Sequence, residues 1–180
     1  MVKKFFVALL SFVVILTPNG ASASSHAKSL QNLGMDEIMF AQMMIPHHKQ
    51  AISMSETALK KSRNQGILKL SRQINSLQSS EVSQLTYWLK ATDSSMTMDH
   101  DMKMSGMLTA KELDSLKRLS GTSFDRTFLQ LMIKHHKGAI EMLGLISDSR
   151  NAEAAALANA IKSAQSKEIT SMKQLLTKIK

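Results

Sequence analysis

The stretch Phe40-Ala41-Gln42-Met43-Met44-Ile45-Pro46-His47-His48-Lys49-Gln50-Ala51-Ile52-Ser53-Met54 returns 88 residues later as Phe128-Leu129-Gln130-Leu131-Met132-Ile133-Lys134-His135-His136-Lys137-Gly138-Ala139-Ile140-Glu141-Met142, with ten of the fifteen positions identical. Downstream, Ile74, Ser76, Gln78, Ser79, Glu81 and Leu89 match Ile161, Ser163, Gln165, Ser166, Glu168 and Leu176 at an offset of 87. The repeated unit is therefore two segments long. Both carry apolar residues at helical spacing, so each unit reads as a helical hairpin. Two such hairpins make a ferritin-like, all-α four-helix bundle with approximate two-fold symmetry.

Composition agrees with this reading. The 180 residues suit one ordinary domain, and 7 Gly, 2 Pro and 4% aromatic residues leave little from which to build strands and tight turns. There is no cysteine, which excludes disulfides, thiolate zinc sites, iron–sulfur clusters and cysteine nucleophiles.

Local signals place the helices at Met35 to Ser62, Gly66 to Lys90, Thr122 to Ser149 and Asn151 to Ile179. Thr122 with Asp125 reads as a capping box for the third, and Asn151 as the cap of the fourth. Thr109 with Glu112 opens a short helix to Leu119, which leaves Ala91 to Leu108 as an inserted loop. Pro46 cannot donate to the carbonyl of Gln42, so a kink or a restart is expected beside the histidines. The organisation expected is an N-terminal extension over 24–34 and a bundle over 35–180. Within the bundle, repeat one spans 35–90, the loop and short helix 91–121, and repeat two 122–180.

Residues 1–23 read as a cleavable signal peptide. Lys3 and Lys4 are followed by the apolar run Phe5 to Leu16 and by Ala21-Ser22-Ala23. The expectation is a secreted or periplasmic protein starting at Ser24, with no stable membrane insertion after cleavage. Removing two lysines leaves 21 − 14 = +7 as the formal charge. The lysines are scattered and aromatic residues are few, which argues against nucleic acid as a partner.

On a helical wheel Glu37, Phe40, Met44, His47, Ala51 and Met54 fall within an arc of about 100°, as do Asp125, Phe128, Met132, His135, Ala139 and Met142. His48 and His136 lie at the margin, so one histidine of each pair faces inward and the other the rim. A core face in which each histidine makes one buried hydrogen bond is one account. The other is a ligand set, because a polar residue is placed twice on the apolar side between methionines. The candidate ligands are Met44, His47, His48, Met54, Met132, His135, His136 and Met142. Glu81 and Glu168 recur in matching places and are candidates for orienting a histidine N–H.

The loop is the second constellation. Met96, Met98, His100, Met102, Met104 and Met107 fall within twelve residues without helix or strand period. Thioethers and imidazoles are neutral, soft to borderline donors that select Cu(I), with Ag(I) as its mimic, and Cu(II) follows through the histidines. Clustered carboxylates for Ca²⁺ or Mg²⁺ are missing, and no Glu-x-x-His supplies a di-iron site.

The two Met-x-x-His-His segments with their Ala-Ile and Met54 or Met142, together with Met98-Asp99-His100 and Gly106-Met107, resemble the bacterial family called domain of unknown function 305. The resemblance covers residues 35 to 178 and implies a ferritin-like four-helix bundle, often exported, with some relatives that bind copper and are linked to copper tolerance. Lys49 and Lys137 beside the histidine pairs, and a single loop histidine, depart from that pattern. The reading is an exported, non-catalytic copper-binding protein that buffers copper or hands it to another carrier or exporter. A ferritin-like metal oxidase and a basic envelope-binding module without metal stand as alternatives.

Overall fold

The structure, a computed structural model, describes residues 32–98 and 104–179. The expected signal peptide, His100 and Met102 lie outside the described residues. The elements are α1 (Met35–Lys61), α2 (Gln65–Ala91), α3 (Ala110–Arg118), α4 (Gly121–Met142), a 3-10 turn at Leu143–Leu145, and α5 (Ala152–Lys178). Among the described residues there is no strand, and no helix is long and apolar enough to cross a membrane. The chain is an all-α helical bundle.

The turns are duplicated along with the helices. Asn64 Oδ1 accepts from the N–H groups of Gly66 and Ile67 at 2.9 and 3.3 Å. Asn151, 87 residues on, accepts from those of Glu153 and Ala154 at 3.0 and 3.1 Å. Each satisfies two of the donors that a helix start leaves unpaired. Ser62 and Ser149 in turn accept from Asn64 N–H and Asn151 N–H. The Thr109–Glu112 capping box forms as expected.

Three local expectations change. Helix α1 runs through Pro46 as one helix of 27 residues, so no restart occurs. Helix α4 begins at Gly121, whose φ of +55° sets its start ahead of Thr122, and it has no side-chain cap; Asp125 is buried on the bundle face. The same helix ends at Met142, where Gly144, a poor helix former, lies in a tighter turn that buries Leu143 and Ile146.

Apolar side chains form two clusters. One contains Phe40, Met44, Trp88, Leu89, Met142 and Ile161. The other contains Met54, Ile67, Phe124, Phe128, Met132 and Met172. Methionines of equivalent position are thus exchanged: Met44 of repeat one shares a cluster with Met142 of repeat two, and Met132 with Met54. That exchange is the mark of a two-fold relation between hairpins. Between α2 and α5, Trp88 Nε1–H donates to Glu153 Oε1 at 2.9 Å, a buried indole finding its acceptor across the bundle.

Candidate metal centre

The inward histidines of the two repeats meet. All six residues of each stripe are buried, and the rings of His47, His48, His135 and His136 have no exposed surface. His47 on α1 and His135 on α4 meet with ring centroids 3.8 Å apart and planes tilted by 38°; His136 follows at 6.3 Å from His135. The expectation that one histidine of each pair faces the rim is corrected. His48 and His136 face the second helix of their own hairpin, where a carboxylate meets each.

Those carboxylates are Glu81 and Glu168. His136 Nε2–H donates to Glu168 Oε2 at 2.8 Å, with both side chains buried. His48 Nε2 lies 2.9 Å from Glu81 Oε2, close enough for an ion pair but off the hydrogen-bonding direction. His47 Nε2–H donates to the carbonyl of Ser105 at 3.0 Å. In two of the four rings, His47 and His136, Nε2 is therefore hydrogen-bonded, and Nδ1 of all four has no hydrogen-bond partner. An Nε2–H tautomer leaves Nδ1 with its lone pair, as a donor to a metal requires.

Burial sets the protonation state. It is the main cause, with neighbouring His48 second, that lowers the His47 pKa to about 4. Burial, then His47 and His136, holds His135 well below its ordinary value. Both rings are neutral at physiological pH, the form that binds metals.

The four stripe methionines are buried as well, Met44 and Met142 in one apolar cluster and Met132 and Met54 in the other. Among the described residues no three His, Asp or Glu side chains converge as a metal-holding group. The buried donor types on these faces are thioether sulfur and imidazole nitrogen, which are soft to borderline.

Of the loop methionines, Met96, Met98 and Met104 line one cavity of about 560 Å³ with Gln42, Pro46 and Lys49 of α1. Met98 and Met104 also pack against the cluster that holds Met44. Met107 is half-buried and lines no cavity with these three. The loop is tied to α1 at both ends. Gln42 Nε2–H donates to the carbonyls of Ser95 and Thr97 at 2.9 and 3.3 Å, and Gln50 pairs with Leu108. None of these anchors was visible as such in the sequence. The signal for Gln50 lies in a departure from the repeat, since its counterpart is Gly138. Gln78 and Gln165 recur visibly, and both are buried with oxygen and nitrogen unpartnered.

The family model for the domain of unknown function DUF305 matches residues 37–176. The chain belongs to the DUF305 family. Similar solved structures include a DUF305 protein from Streptomyces coelicolor, at 26% identity and a TM-score of 0.76, covering 79% of this chain and 93% of that one. CopM in its Cu(I)-bound form is 30% identical with a TM-score of 0.66, covering 81% and 98%. CopM in its Cu(II)-bound form is 31% identical with a TM-score of 0.68, covering 79% and 96%. CopM has also been solved with Ag bound. No curated protein matches the chain.

Proposed function

We propose that this DUF305 protein is exported and binds Cu(I), accepts Ag(I) and Cu(II), and buffers copper or passes it to another carrier or exporter without catalysing a reaction on it. The observation that carries the reading is the set of four buried imidazoles, each with an unpartnered Nδ1, on the same helix faces as four buried methionines. Neutral nitrogen and sulfur donors in a low-dielectric interior suit a monovalent soft cation, whose single charge costs less to desolvate than a divalent ion's. Solved structures of CopM with Cu(I), Cu(II) and Ag support the same chemistry in a relative. Export rests on the leader in residues 1–23.

In this reading His47, His48, His135, His136, Met44, Met54, Met132 and Met142 supply the buried donors. Glu168 and Glu81 hold His136 and His48 in orientation. Met96, Met98 and Met104, with His100, Met102 and Met107, collect metal at the loop. The test is competition with a chromogenic Cu(I) chelator, run beside thermal shifts with Ag(I), Zn²⁺ and Fe²⁺. Tight Cu(I) retention and a rise in Tm with Ag(I) are expected. A protein that surrenders all Cu(I) to the chelator and is protected by Zn²⁺ or Fe²⁺ alone overturns the soft site.

A further inference from the structure

Gln50 and Gly138 stand at the same position of the two repeats, one of five mismatches in the fifteen-residue match. The structure gives this mismatch a physical cause. Gln50 grips one residue twice: its Nε2–H donates to the Leu108 carbonyl at 3.0 Å and its Oε1 accepts from Leu108 N–H at 2.8 Å. Gly138 does the opposite and clears space. A Cβ there would lie 2.1 Å from the Ser105 carbonyl oxygen and 2.4 Å from Gly106 Cα. Gly106 is itself constrained, with φ of +74° and with 2.8 Å between a Cβ at that position and the carbonyl oxygens of Lys134 and His135.

The same segment touches the His47–His135 pair through His47. The Ser105 carbonyl accepts from His47, and the Ser105 hydroxyl bonds Glu141 on α4. The segment from Met104 to Leu108 is thus a strap, laid on Gly138 of repeat two and clamped by Gln50 of repeat one, that bonds the buried His47 ring through Ser105. Met104, which precedes Ser105, lines the methionine cavity.

We infer that Gln50 and Gly138 are positioning residues for the metal site. They pin the strap so that Met104 and the buried imidazoles form one coupled unit instead of a free loop site and a separate core site. This rests on the metal-binding reading above. The physical reason is preorganisation: a thioether already held beside its partners loses little freedom when metal arrives, whereas one on a loose loop must be ordered at that moment. One strap cannot lie on both repeats in the same way, which is why this position differs while its neighbours His47, His48, His135 and His136 are kept in both.

The experiment uses the mature chain with G138A, Q50A and, as control, G144A, where an added Cβ meets nothing within 4 Å. Alanine favours helix over glycine, so G138A keeps α4 and displaces only what lies on it. In metal-free protein, hydrogen exchange at the Leu108 amide is expected to lose tenfold or more of its protection in G138A, although Gln50 is intact there. Ag(I) affinity, by competition, is expected to fall about tenfold in G138A and Q50A and to stay unchanged in G144A. Retained protection in G138A overturns the pinned strap. Lost protection with unaltered Ag(I) affinity overturns the coupling alone. A wild-type protein that takes up no Ag(I) overturns the metal reading and the coupling with it, a failure seen before any variant is made.

Discussion

The imidazoles of His47 and His135 face each other at 3.8 Å between centroids, at the point where the two repeats meet and away from water. Two rings so placed are stable together only while uncharged. Water solvates neither cation, and protonation of one opposes protonation of the other.

Metal-free stability therefore falls as pH drops from about 6.5 toward 4. The sign follows from proton counts: in that window the unfolded chain binds protons at His47 and His135 that the folded one does not, so stability rises with pH. For His47, lowered from 6.5 to about 4, the loss is roughly 3 kcal/mol across the window. Urea unfolding at pH 7, 5.5 and 4 checks it. A flat profile shows that the rings take protons without unfolding.

His47 and His135 could be placed from sequence because a helical face has a fixed period, and a residue recurring on it twice is buried twice. The same arithmetic misplaced His48 and His136. Their burial depends on Glu81 and Glu168, which lie 33 and 32 residues away on another helix, and a wheel drawn for one helix carries no information about its partner. Glu81 and Glu168 were visible as a recurrence, but their role appears only when the hairpin closes. The loop was legible in donors and not in shape. Its path is set by single hydrogen bonds from Gln42, His47 and Gln50 and by the space at Gly138, none of which leaves a period in the chain.

Replacing Gln78 or Gln165 with Leu is expected to stabilise the metal-free fold by about 1 kcal/mol each. Both carboxamides are buried with neither oxygen nor nitrogen bonded to the protein, and an unsatisfied buried polar group costs about 1–3 kcal/mol. Leucine has similar volume and no such demand. Denaturant midpoints read the effect, and a drop in both variants shows that the amides are hydrogen-bonded in solution.

Glu168→Ala should be more damaging than Glu81→Ala. Glu168 is the more deeply buried, accepts from His136, and also lies 3.5 Å from Gln73 Nε2. Its loss strands His136 and, in the proposed site, costs about 10–100-fold in metal affinity, the range known for partners that orient a ligating histidine. Glu81 makes a less well-directed contact with His48, so its removal should cost less in both stability and Ag(I) binding. Equal effects would mean that the two hairpins orient their histidines equally well.

The loop and the buried layer make different demands, and paired variants separate them. Replacing Met96, Met98 and Met104 with Leu keeps volume and apolar character, so metal-free stability should change by less than about 1.5 kcal/mol, while the sulfur donors around the cavity vanish and Cu(I) stoichiometry falls. Replacing His47 and His135 with Ala acts on the core. It leaves a void between α1 and α4 and removes the donor to the Ser105 carbonyl, at a cost of about 2–5 kcal/mol in stability for such truncations. It also lowers Cu(I) retention, because those rings are ligands in the proposed site. Chelator-monitored stoichiometry and metal-free Tm, measured on both variants, give four numbers. If the methionine variant keeps full stoichiometry and the histidine variant loses stability but binds copper as the parent does, the stripe is a core face and its histidines hold the fold, not the metal.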